Sequence, residues 1–170
     1  MGFTGNLTGA SLPGQPPGAL VVDAELTARF TRGASWFYWL AGLSLVNCAI
    51  GWFGGNTRFL FGLGVTEFVN GVVAGLNAGT PVAAFIDVLI CATFVAFGVM
   101  TLKQKSKPIY MLGMVVYGLD LLLCLAFGDW IFVLFHGWVI FQLFRGYQAL
   151  LQLLALEQQA APGLSAVRTE

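Results

Sequence analysis

The chain has 170 residues, 58% of them hydrophobic and only 9% charged, with a formal net charge of zero. A soluble domain carries about 25% charged residues, so this chain cannot clothe itself in polar groups and the lipid bilayer is its predicted solvent. No basic face can neutralise a phosphate backbone, which excludes nucleic acid as a partner, and the length suits one compact domain.

Residues 1–18 hold no Lys or Arg and contain Gly14, Pro16, Pro17 and Gly18. They lack the positive start of a secretory signal and are expected to be a disordered tail. Residues 19–33 read as a juxtamembrane amphipathic helix lying at the membrane surface, with Val22, Leu26 and Phe30 at four-residue spacing. A transmembrane bundle is expected over 34–156, and a loose polar tail over 157–170.

Five hydrophobic segments follow in order. The first, 34–53, opens on the interfacial cluster Trp36, Phe37, Tyr38 and Trp39, and is long enough to cross a hydrocarbon core of ~30 Å. Gly54, Gly55 and Asn56 predict a tight turn. The second, 57–77, carries Glu67, Asn70 and a stripe of Gly71 and Gly75 expected to face other helices. The third, 81–102, begins at Pro81, a residue suited to the first helical turn, and contains Asp87. The fourth, 109–127, contains Asp120. The fifth, 130–154, contains His136 and Arg145, and a turn at Gly128 and Asp129 joins it to the fourth. The predicted fold class is therefore all-α, a polytopic integral membrane bundle with four or five of its helices spanning. A faint echo at an offset of 73 residues pairs Asn47 with Asp120, Gly64 with Gly137 and Phe68 with Phe141. If the second segment crosses fully, the two hairpins have inverted topology, as in many transporters.

Lys103, Lys105 and Lys107 sit in one short loop, which places that loop, and with it the C-terminus, in the cytoplasm. The side of the N-terminus depends on whether 57–77 crosses. Five crossings put it outside, whereas four put it inside with Arg29 and Arg32. The expected location is a bacterial inner (plasma) membrane.

Charges inside hydrocarbon cost about 2.5–3.5 kcal/mol each on insertion scales. Asp120 and His136 lie at equal distances on either side of Gly128, each roughly 12 Å from the turn, so an antiparallel hairpin lets them meet. Asp87 and Glu67 fall at roughly 9 Å and 15 Å on the same side. Glu67, Asp87, Asp120 and His136 thus form a candidate proton or cation cluster. The same residues can equally be the polar glue of the bundle.

Cys48, Cys91 and Cys124 have no C-x-x-C spacing and read as small buried hydrophobes. No metal site and no cofactor are predicted, with haem or chlorin on His136 as a minor alternative. Arg145, near the cytoplasmic interface, is expected to contact lipid headgroups. Neither a G-x-S-x-G nor a P-loop pattern is present, and no catalytic set emerges. The expected function is a non-enzymatic accessory or structural subunit of a larger membrane complex, associated with other membrane-protein subunits or with itself. The alternative is a small transporter or proton/cation-conducting protein built on the Asp/Glu/His cluster.

Overall fold

The computed structural model describes residues 17–53, 63–128 and 130–166. The predicted turn at Gly54–Asn56, most of the N-terminal tail and Asp129 lie outside them. The described residues are all helix and irregular connection, without strand. The helices are α1 (Pro17–Ala34), α2 (Trp36–Trp52), α3 (Gly64–Gly75), α4 (Thr80–Gln104), α5 (Lys107–Ala126) and α6 (Trp130–Ala166). Four stretches are long and apolar enough to cross a membrane: Val21–Trp52, Thr80–Gln104, Lys107–Ala126 and Trp130–Gln159.

The first of these stretches corrects the sequence reading of 19–33. α1 does not lie apart as a surface helix. It runs into α2 with only Ser35 between them, whose N–H still donates to Thr31 O (2.9 Å) while its own carbonyl accepts from Trp39 (3.2 Å). α1 packs lengthwise and antiparallel on α6, with Leu26, Phe30 and Ala34 buried. Gly33 and Gly146 make the closest approach: a Cβ on Gly33 would stand 2.5 Å from Gly146 Cα. Two helices meet this closely only where neither has a side chain. The apolar spacing identified a buried face, and glycine at the contact decided what covers it.

The partner residues fix the directions of the other helices. Tyr38 lies on Gly98 and Phe37 on Phe94 and Phe97, while Cys48 flanks Asp87, so α2 and α4 are antiparallel. α4 and α5 are antiparallel through Phe94–Tyr117 and the approach of Phe97 to Gly113. α5 and α6 follow suit, with Tyr110 O–H donating to Leu143 O at 2.9 Å near one end and Tyr117 stacked on His136 nearer the other.

α1 therefore begins, and α6 finishes, at the end that carries Lys103, Lys105 and Lys107, where Lys105 pairs with Glu157. This is the basic end, and the other is the far end. Every Lys and Arg among the described residues lies at or toward the basic end.

Antiparallel α2 and α4 mean that the chain between them leaves and returns at the far end. α3 has 12 residues, a rise of about 18 Å against the ~30 Å needed to cross. The five-crossing version of 57–77 is corrected accordingly. The condition for inverted hairpins also fails, because α3 would have to match α6, which has 37 residues. At the other terminus, α6 continues past Glu157 to Ala166 where a loose tail was expected. Leu156–Ala161 are good helix formers, whereas nothing local favours the helix at Pro162 and Gly163.

Candidate functional site

α5 presents Gly113, Tyr117, Asp120 and Cys124 on one buried stripe, the i, i+4, i+7, i+11 pattern of a single helix face. α6 answers with Phe132, His136, Val139 and Leu143. The beginning of α3 is wedged against both.

Asp120 and His136 meet as their equal depth predicts. His136 Nε2 lies 2.8 Å from Asp120 Oδ2, with the two side chains 0% and 3% exposed. His136 Nδ1 lies 2.8 Å from Phe132 O. A carbonyl can only accept, so Nδ1 carries a proton and Nε2 faces the carboxylate. One proton lies between Nε2 and Oδ2, whichever atom formally owns it.

Asp120 does more than pair with the histidine. Its Oδ2 accepts the Gly64 N–H at 3.0 Å and its Oδ1 accepts the Val65 N–H at 2.7 Å. These are among the orphan donors of the first turn of α3, where an anion is also favoured by the helix dipole. Leu63 N–H, just before, donates to Ser44 Oγ at 2.7 Å. The α3 start is thus capped by side chains from α2 and α5, across the bundle, instead of by its own sequence. Gly64 is required there, since a Cβ would stand 2.6 Å from Cys124 Sγ.

Cys124 completes the group. Its sulfur is 3.8 Å from His136 Nε2. One ligand-capable atom from each of Asp120, Cys124 and His136 lies within 4.8 Å of the others, and all three residues are buried. The three together can hold a metal ion. Cys124 is buried, as its reading as a small buried hydrophobe expects, and its i, i+4 relation to Asp120 puts it beside the pair.

The other two members of the predicted cluster stand elsewhere. Asp87, fully buried, accepts from Asn70 Nδ2 at 2.8 Å through Oδ2, while its Oδ1 has no hydrogen-bond partner. Asn70 also donates to Thr66 O at 2.7 Å. Glu67 stands on the wall of a cavity of about 470 Å³ that is also lined by Gly64, Phe68, Gly71 and Cys124. The single predicted cluster is therefore two buried polar groups, one on each side of the α3 start, and one acid on a cavity wall.

The glycine stripe needs a further correction. Thr66, Asn70 and Val73 turn toward the bundle, which rotates Gly71 and Gly75 outward, and a Cβ at either would meet nothing within 4 Å. Tyr117 stacks on the His136 ring at 4.8 Å and 12°, and both ring nitrogens are engaged, Nδ1 with Phe132 O and Nε2 with Asp120 Oδ2. Arg145 lies over the Phe141 ring at 5.7 Å and shares a small pocket with Arg29, Arg32, Gln142 and Trp36.

Past Tyr117 toward the basic end the interior turns aromatic. Phe37, Phe94, Phe97, Tyr110 and Tyr117 contact one another in a chain of rings.

No protein-family model matches this chain, and no curated protein or solved structure shows significant similarity to it.

Proposed function

We propose that the chain is a four-span integral membrane protein that acts without catalysis, as a subunit packing against a partner's transmembrane helix. The observation that carries this is the outward face of α3. Gly71 and Gly75 are open there, beside the cavity walled by Glu67 and Phe68. In lipid, where apolar burial gives little driving force, small residues that let backbones approach are what a partner helix needs. α3 itself is a re-entrant half-helix. Irregular backbone at membrane depth is tolerated where it is buried in protein, and the bonds from Leu63, Gly64 and Val65 to Ser44 and Asp120 supply that burial.

The basic end is cytoplasmic, with the start of α1 and the end of α6 on that side, in agreement with the excess of Lys and Arg there among the described residues. The pocket of Arg29, Arg32 and Arg145 beside Trp36 sits at that interface and suits a lipid phosphate.

Proton or cation conduction has less support. Asp120 and Asp87 are occupied with holding α3, and the interior beyond Tyr117 is filled mainly by aromatic rings.

The test is extraction from native membranes in mild detergent with a C-terminal tag, followed by native mass and partner identification. Stoichiometric co-migration with a larger assembly is expected, and Gly71→Leu is expected to release the chain from it. A chain that runs alone, unchanged by Gly71→Leu, overturns the proposal and turns attention to flux assays on the acidic residues.

A further inference from the structure

We infer that Asp120, Cys124 and His136 form a binding site for a borderline transition-metal dication of the zinc class. Carboxylate, thiolate and imidazole together are a ligand set suited to such an ion. The Nε2–Oδ2 and Nε2–Sγ separations are 2.8 Å and 3.8 Å. Ligands bonded at about 2.0–2.3 Å in a tetrahedron stand roughly 3.3–3.7 Å apart, so the Nε2–Oδ2 pair would open and the Nε2–Sγ pair close by about half an ångström or less, with all three ligand atoms already within 4.8 Å of one another.

Three further features distinguish this group from a chance cluster. The first is the surrounding support. A metal-bound histidine characteristically gives its other N–H to a carbonyl or carboxylate, and His136 Nδ1 already faces Phe132 O. Asp120 is held by the Val65 N–H on Oδ1 and the Gly64 N–H on Oδ2, which keeps Oδ2 aimed at His136 Nε2 and the space an ion would take. The second is charge. A dication with one carboxylate, one thiolate and a neutral imidazole is neutral overall. That is the form of ion binding an apolar interior tolerates. The third is access. Cys124 and Gly64 line the cavity on whose wall Glu67 stands, which gives the ion a route in and leaves room for water as a fourth ligand. A side chain at Gly64 would fill the space beside the sulfur.

This inference does not depend on the subunit role. The test uses the full chain purified in detergent, stripped with chelator and titrated with Zn(II), and with Co(II) as a spectroscopic probe. One equivalent of zinc by elemental analysis is expected, together with cobalt d–d bands of tetrahedral intensity and a thiolate charge-transfer band. Cys124→Ser preserves size and the Asp120–His136 bond, so it should fold. It is expected to lose the charge-transfer band and to weaken zinc by no less than the ~10–100-fold that loss of a mere supporting group costs. Failure of the wild-type chain to retain zinc above a no-protein control overturns the site. So does a Cys124→Ser chain that binds zinc and cobalt as the wild type does.

Discussion

The two halves of this bundle are held by different physics. Toward the far end, α3 is attached by directed bonds: Leu63 N–H to Ser44, Gly64 and Val65 N–H to Asp120, and Asn70 to Asp87. Toward the basic end there are almost no such bonds. Instead, Gly33 and Gly146 bring α1 and α6 into backbone contact, and rings of Phe37, Phe94, Phe97 and Tyr110 fill the space between α2, α4 and α5. Where a short helix must end inside apolar surroundings, its free N–H groups demand polar partners, because an unmet one costs several kcal/mol in hydrocarbon. Where whole helices pass through, their backbones are already satisfied and close packing suffices.

If the halves differ in this way, they should break differently. The largest loss is expected at the glycine contact. A Cβ at Gly146 would stand 2.7 Å from Gly33 Cα, against backbone that cannot step aside. Gly146→Leu must separate α1 from α6, and more than ~4 kcal/mol of stability should go, beyond the usual cost of overpacking. Resistance to SDS unfolding, followed by tryptophan fluorescence, measures it. A Gly146→Leu chain as stable as the wild type would remove close backbone approach as the basis of the basic half.

The polar half should lose its stability in steps that follow the bond count. Asp120→Ala leaves two helix N–H groups and His136 without their acceptor in a buried site, a change worth about 3–5 kcal/mol. Asp120→Asn keeps an oxygen for Val65 N–H and can donate to His136 Nε2, but turns an N–H against Gly64 N–H, so only about 1–3 kcal/mol should be lost. Equal losses for the two variants, in the same unfolding assay, would mean that Asp120 acts through its charge and not through its geometry. Hydrogen exchange should register either change first in α3.

The contrast also separates what the sequence could reveal from what it could not. The long apolar helices follow from hydropathy and length. The meeting of Asp120 with His136 follows from equal spacing about Gly128 in an antiparallel hairpin, since rise per residue converts directly into depth. The length of α3 was not legible. Its apolar composition over 57–77 looks like a crossing helix, and nothing local marks residue 63 as a start, because Ser44 and Asp120, 19 and 56 residues away from their partners, supply the caps. Nor was the orientation of Gly71 and Gly75, because a stripe of small residues has no intrinsic direction until Asn70 and Thr66 are engaged. Cys124 is buried as expected, but its nearness to His136 was not legible, because it depends on how a second helix is turned.

A smaller step lies at the second polar group. Asn70→Ala takes the amide donor from Asp87 Oδ2, leaving the Cys48 thiol beside the carboxyl, and should cost about 1–3 kcal/mol, whereas Asp87→Leu removes the demanding group while Asn70 keeps its bond to Thr66 O. Removal of a buried polar group without orphaning its partner is nearly neutral. A detergent melt that places Asp87→Leu above Asn70→Ala supports a bond-by-bond account of this half. The reverse order would show that Asp87 carries stability through contacts other than Asn70.

The smallest change is the one that tells folding from association. Gly71 lies in the interior of α3 with open space beyond it. Alanine restricts the unfolded chain and fits the helix, so Gly71→Ala should raise the stability of the isolated chain by about 0.5–1 kcal/mol. If a partner helix rests on this face, the same methyl holds the two backbones apart, and association should weaken while the isolated fold gains. Opposite signs in the melt of the detergent-dispersed chain and in recovery of the assembly from native membranes would therefore locate the contact at α3. A gain in both would mean that the exposed glycines face lipid alone, and that any partner docks on another surface.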